Sequence, residues 1–278
     1  MARSFEDIVK RYVRKQENRD KLKHALFDLR PFHLRIDHDP LPDDQPALYV
    51  GTYHKTGTVW LESTFRTFAA FTDSSFLHRQ RPALNTIRQR HKVVFDWKAD
   101  ITAAELTGHR GFRMVRDPRD VIVSGMHYHR KTKEKWCHVP SDTFGGRSYQ
   151  EAINQYNDED ALLFEIDNKG GEIIQRMLDF DGNDDIRTVH YETFIADKDL
   201  LAWHELLHWA GLRRYDLFLA QQALYERSLF GLAGKNNKHI RSGAARQWEE
   251  AFTPKVMDHF KASLGDAPQK LGYQSISF

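Results

Sequence analysis

A single cysteine, Cys137, stands among the 278 residues, so no disulfide can close within the chain. That usage fits a reducing compartment. Long apolar runs are also missing. No stretch approaches the ~20 residues that a membrane-spanning helix needs, and the charged opening MARSFEDIVKRYVRKQENRDKLK lacks the apolar centre of a secretory signal. Charge of one sign is scarce too: 41 Lys and Arg against 39 Asp and Glu leave +2, which gives no case for a nucleic-acid partner. The 15 histidines are scattered, and no Cys/His spacing marks a structural zinc site. The expectation from these absences is a cytoplasmic protein with no membrane, nucleic-acid or metal partner. The length suffices for one large α/β domain covering 1–278, with 1–46 as an N-terminal helix and lead-in and 47–265 as the core.

The most informative stretch is ALYVGTYHKTGTVWLESTFRTFAAF, residues 47–71. Residues 47–51 read as a short buried strand ending in glycine. Residues 52–58 are a polar turn around Gly57. From Thr58 onward Leu61, Phe65, Phe68 and Ala69 recur at the spacing of an amphipathic helix. A strand, a small polar turn and a helix start form an anion site, because the first N–H groups of the helix lack internal partners and the helix dipole favours negative charge there. Lys55 adds a cation, and Thr56 and Thr58 add hydroxyls. A Walker A loop places its lysine after the second glycine. Here Lys55 comes two residues before Gly57, which argues for a different phosphate-bearing ligand. The alternative is an ordinary strand–helix junction with a solvated lysine.

The strand–turn–helix pattern recurs. Residues 93–95 and 111–115 are short strand runs, and RDPRDVIVSGMHYH follows the second. With 186–190 as a further strand, the pattern predicts a parallel α/β sheet, which places ligands beyond the C-terminal strand ends. The rest reads as follows: an amphipathic helix over 4–28, an irregular proline-rich lead-in over 31–46, a short helix at 102–106, an exposed loop and candidate lid at 131–150, and helix over most of 151–179, 200–210, 216–228 and 245–264. Residues 76–90 give no clear assignment. A helix starting near Pro118 would let Arg116 and Ser124 share one anion, Arg through its two-pronged guanidinium and Ser through its hydroxyl. Arg241, Ser242 and Gly243 offer a cation, a hydroxyl and a backbone open to close approach, or simply a solvated basic loop.

Taken in order, these stretches resemble the sulfotransferases that use 3′-phosphoadenosine 5′-phosphosulfate (PAPS). KTGTVW at 55–60 is similar to the family's 5′-phosphosulfate loop K-S-G-T-x-W, with Thr56 for Ser and with Val59 and Trp60 closing the motif. Arg116 to Ser124 resembles the 3′-phosphate motif, Tyr191-Glu192 the Y-E pair, and Ser228-Leu229-Phe230 the T-S-F segment beside adenine. Arg241-Ser242-Gly243 with Trp248 and Phe252-Thr253 resembles R-K-G…G-D-W…F-T, although Ser242 replaces the usual Lys.

The resemblance implies a single three-layer domain with a central parallel sheet, the P-loop-like sulfotransferase fold. It implies PAPS as co-substrate with 3′-phosphoadenosine 5′-phosphate (PAP) as product, no metal, and a small-molecule acceptor bearing a hydroxyl or amine. Lys55 would assist the leaving phosphate. Trp60 and Phe230 would pack on adenine with Ser228 or Tyr191 at its edge, and Arg116, Ser124 and Arg241 would clamp the 3′-phosphate. The family's catalytic histidine is missing from VVFDWKAD. Asp96, at that strand's end and 20 residues before Arg116, is the candidate base; its other reading is a cap or a partner of Lys98. A P-loop-type small-molecule kinase and an inactive nucleotide-binding relative remain as alternatives.

Overall fold

The computed structural model describes residues 45–88, 90–228 and 245–273. All belong to one unit, which begins at Pro42. The expected helix at 4–28 and the loop before Gly243 lie outside the described residues. In chain order the elements are β1 (Ala47–Gly51), α1 (Thr58–Phe71), β2 (Ser75–His78), β3 (Lys92–Asp96), β4 (His109–Val115), α2 (Pro118–His129), the two-residue strands β5 (Pro140–Ser141) and β6 (Arg147–Ser148), α3 (Tyr149–Ile153), α4 (Asp158–Asp167), α5 (Lys169–Leu178), β7 (Ile186–His190), α6 (Tyr191–Ala196), α7 (Leu201–Trp209), α8 (Arg214–Arg227), α9 (Trp248–Ala251), α10 (Pro254–Leu264) and α11 (Ala267–Lys270).

Strands β2, β3, β1, β4 and β7 form one sheet in that order, and every pairing is parallel. This is the expected α/β architecture. Alternate side chains of each strand face opposite layers. Leu48, Val50, Phe112 and Met114 enter a core with Leu61, Phe65, Trp203 and Leu207 from α1 and α7. On the other side, Val115 packs with Val121 and Ile122 of α2, Leu162 of α4, Ile173 of α5 and Phe260 of α10. From the central strand β1 the chain fills one side through β2 and β3, then crosses to β4 and β7. The strand order therefore reverses between β1 and β4, the position where open α/β sheets bind ligands.

The structure departs from expectation in three places. Ser75–His78 is an edge strand that overlaps the start of the unassigned stretch. Residues 102–106 form only a turn, closed by Leu106 N–H on Thr102 O at 3.1 Å. The stretch 131–150 is not uniformly exposed: it carries a 3₁₀ turn at Lys135–His138, the β5–β6 hairpin and a fully buried Cys137. The thiol donates to the carbonyl of His129 at 3.6 Å, and burial pushes its pKa up to about 11. No helix among the described residues is long and apolar enough to cross a membrane.

Gly111 faces Tyr49 across the β1–β4 pair, and a Cβ there would lie 2.0 Å from the Tyr49 carbonyl oxygen. Backbone cannot yield as a side chain can. Gly111→Ala is expected to cost about 3 kcal/mol or more, the upper range of overpacking. Urea denaturation checks this, and an unchanged midpoint would contradict the tight β1–β4 seam.

Candidate active site

The C-terminal ends of β1 and β4 open into a cleft of about 1010 Å³. Its first wall is the loop between β1 and α1. Thr56 Oγ1 accepts from Tyr53 N–H at 2.9 Å and donates to Tyr53 O at 3.0 Å, and Thr58 Oγ1 donates to the same carbonyl at 2.7 Å. Both hydroxyls therefore brace the turn, where the sequence reading had them as donors to a ligand. Lys55 and Gly57 adopt positive φ, 69° and 97°, and Thr56 N–H between them closes the turn on Tyr53 O at 3.2 Å. Gly57 is required twice over, since a Cβ would also sit 3.2 Å from the Tyr191 ring. The ladder of α1 begins with Leu61 N–H on Gly57 O, so the N–H groups of Thr58, Val59 and Trp60 precede it and can meet an anion. No acidic side chain stands in that first turn.

The second wall starts at Arg116, directly after β4. Arg116 is 5% exposed. Its Nη1 donates to Lys55 O at 3.3 Å, Nη2 lies 3.5 Å from Asp120, and the guanidinium sits 4.9 Å from the Tyr191 ring centre. Asp117 caps α2 through Arg119 N–H and holds the Arg119 side chain at 2.9 and 2.7 Å. Arg116 and Ser124 both line the cleft, as the helix start at Pro118 predicts. Glu192 joins the third strand end: it accepts Asp117 N–H at 3.0 Å and the Tyr273 hydroxyl at 2.7 Å. Asp120, fully buried, accepts Arg246 N–H at 2.9 Å and Trp248 N–H at 3.1 Å. Burial raises its pKa, against the opposing pull of Arg116 and those N–H groups.

Lys55, Gly57, Thr58, Val59, Trp60, Arg116, Ser124 and Tyr191 thus share one cleft. Lys55 Nζ lies 3.9 Å from the Tyr128 ring centre. Trp60 packs edge-on to Tyr191 and Trp203, leaving its buried Nε1 without a hydrogen-bond partner among the described residues. Ser228 is buried, donates to Tyr225 O at 2.8 Å and is not among the cleft-lining residues. Phe230, Arg241, Ser242 and Gly243 lie outside the described residues.

Asp96 takes up the cap reading. It is fully buried and does not line the cleft. Oδ1 accepts from Gln80 at 2.6 Å and from the N–H groups of Lys98 and Ala99 at 3.0 Å each. Oδ2 accepts from Tyr49 at 3.2 Å, with Arg79 at 3.4 Å. With both oxygens engaged, the carboxylate closes the turn after β3 and has no free face for an acceptor proton.

Sequence reasoning passed over several groups. Arg227, Gln247, Lys131 and Lys169 also line the cleft, and its walls carry five lysines and four arginines against two glutamates. It also missed HELLH, in which His204 and His208 have i,i+4 metal-ligand spacing on α7. Their rings stack at 6.2 Å away from the cleft, and no group of three or more His, Cys, Asp or Glu among the described residues could hold a metal ion.

No family model matches the chain, and no curated protein matches it. Solved structures do. Mouse sulfotransferase SULT7A1 complexed with PAP aligns at TM-score 0.52 and 15% identity, over 81% of this chain and 84% of that one. Retinol dehydratase in a complex with retinol and PAP aligns at TM-score 0.50 and 12% identity, over 89% and 88%. The fold is the sulfotransferase fold. At such identities the likeness concerns the fold, and the chemistry rests on the cleft.

Removing the Asp96 carboxylate leaves two backbone N–H groups and the Gln80 amide without their acceptor. Asp96→Ala is expected to lower stability by at least about 2 kcal/mol. Urea denaturation measures this, and a loss below a few tenths would contradict the capping role.

Proposed function

We propose that this protein transfers a sulfuryl group from PAPS to a hydroxyl or amine of a small acceptor, in the cytoplasm and without a metal. One observation carries the reading. The Lys55 loop and Arg116, from neighbouring strand ends, are joined by a hydrogen bond, so two anion-binding groups face one cleft at fixed separation. A ligand with a phosphate at each end of a nucleoside matches that pair. The likeness to PAP-bound sulfotransferases supports it.

Bound PAPS supplies a sulfuryl group on a good leaving phosphate. The N–H groups of Thr58, Val59 and Trp60 hold the 5′-phosphate. Lys55 Nζ neutralises the charge that grows as the phosphate leaves, so it acts in the transition state more than in the ground state. Arg116 and Ser124 hold the 3′-phosphate, with Arg241, Ser242 and Gly243 completing the clamp. Trp60 and Tyr191, which line the cleft, pack on the adenine, and the resemblance assigns Phe230 to the same role. Positioning and electrostatics do most of the work, as in phosphoryl transfer.

Lys55→Ala is expected to abolish transfer while PAP still binds; normal turnover would contradict the role given to Lys55. Arg116→Ala is expected to weaken PAP by about 1.5–3 kcal/mol, the worth of a hydrogen bond to a charged group, read by calorimetric titration.

Cations beyond those needed for the nucleotide also line the cleft: Arg81, Lys98, Lys131, Lys135, Lys169 and Arg176. Arg81 lies 4.2 Å from the Trp97 ring centre and Lys169 5.6 Å from that of Trp136. This favours an acceptor that carries a carboxylate, sulfate or phosphate of its own. Lys131→Glu is expected to raise the acceptor KM about tenfold, equivalent to about 1.4 kcal/mol, with PAP affinity unchanged. An unchanged KM for anionic acceptors at low salt would contradict this.

A further inference from the structure

With Asp96 engaged elsewhere, the acceptor proton needs another destination, and a buried chain of side chains supplies one. Glu165 and His129 are both fully buried. Glu165 Oε2 contacts His129 Nδ1 at 3.0 Å and accepts the Tyr149 hydroxyl at 2.8 Å. His129 Nε2 meets His54 Nε2 at 3.2 Å, the two rings lying 8° from parallel. His54 precedes Lys55 and lines the cleft. Two glycines make room for this arrangement: a Cβ at Gly125 would fall 2.4 Å from Glu165 Oε1, and one at Gly170 would fall 3.0 Å from Glu165 Cγ. Oε1 is buried without a hydrogen-bond partner among the described residues. Such a carboxylate is costly for stability alone, and buried, imperfectly satisfied groups cluster at working sites.

The donors and acceptors along the chain fix the tautomers. Burial and the Glu165 charge push the Tyr149 pKa up, so its hydroxyl stays a donor. Glu165 Oε2, which accepts the Tyr149 hydroxyl, also faces His129 Nδ1, so His129 carries its proton on Nδ1 and presents a lone pair at Nε2. His54 must then donate from Nε2, which leaves a lone pair on Nδ1. Resting on the sulfuryl-transfer reading above, we propose that His54 Nδ1 is the base that takes the acceptor proton, held in its tautomer by His129 and Glu165 as positioning residues. The acceptor O–H or N–H bond breaks and its proton passes to Nδ1. The freed electron pair forms the bond to sulfur. The bond from sulfur to the 5′-phosphate oxygen breaks, and its pair stays on PAP beside Lys55. The imidazolium afterwards returns its proton to water.

Several groups set the charge of His54. His129 and Tyr128 face it from α2 and Lys169 from α5. Lys55 is its neighbour in the loop, and Glu165 acts from α4 through His129. Burial, followed by repulsion from the cations Lys55 and Lys169, holds its pKa well below the ordinary 6.5. A lowered base stays neutral above its own pKa, so transfer persists as pH falls through 6.5 and fails only beneath it.

Nitrogen-15 NMR of the full chain, alone and with PAP, reads the tautomers directly. His54 Nδ1 is expected unprotonated with Nε2 protonated; a protonated Nδ1 at pH 7 overturns the assignment. His54→Gln keeps an amide donor towards His129 but offers no ring lone pair. It is expected to bind PAP within about twofold of wild type while kcat falls about 100-fold or more, the scale of general-base catalysis. A kcat within about fivefold of wild type overturns the proposal and leaves the sulfuryl-transfer reading standing. A wild-type chain that binds no PAP and transfers no sulfate overturns both. Glu165→Gln removes the charge that favours imidazolium, so the acid limb of kcat is expected to move to lower pH. A limb that stays in place would give Glu165 a packing role only and overturn its part in the chain.

Discussion

The parallel pairing of β1 with β4 is the contact on which the rest depends. Gly51 stands beside Arg113 in that register, so β4 runs only two residues past the end of β1 and the two strands deliver the Lys55 loop and Arg116 to one edge. The hydrogen bond from Arg116 to Lys55 O then fixes their separation. A chain that placed these strands apart would have two ordinary helix starts. Adjacent, they make a cleft for two anions, since helix N-termini and cations reinforce one another where water is partly excluded.

Carboxylates do the complementary work from behind. Asp120 brings Arg246 and Trp248 back against Arg116. Glu192 ties the end of β7 to Asp117. Asp96 closes the turn after β3 on two backbone N–H groups. The cleft face is cationic and much of the supporting shell is anionic, with its oxygens occupied by donors. This division explains how a chain of net charge +2 presents so basic a cavity.

Much of this could be read from the sequence because it is local. The bounds of β1 and α1 follow from apolar runs and helical spacing, and Arg116 and Ser124 fall together because two turns of helix separate them. What stayed hidden is non-local. β2 is four residues at a sheet edge, too short for its alternation to stand out. The roles of Thr56 and Thr58 depend on a turn that brings both hydroxyls to the Tyr53 carbonyl. Asp96 looks like a strand-end carboxylate until Gln80 and Tyr49, 16 and 47 residues away, engage it. Glu165 lies 36 residues from His129 and His129 75 from His54, with no local pattern to connect them.

The central claim is that the cleft recognises a nucleotide through two phosphates at once. Calorimetric titration of the full chain with PAP and with adenosine 5′-phosphate, which lacks the 3′-phosphate, tests it most directly. The account predicts that PAP binds at least about tenfold more tightly, since one charged hydrogen-bonded contact contributes roughly 1.5–3 kcal/mol. Equal affinity for the two nucleotides would contradict it.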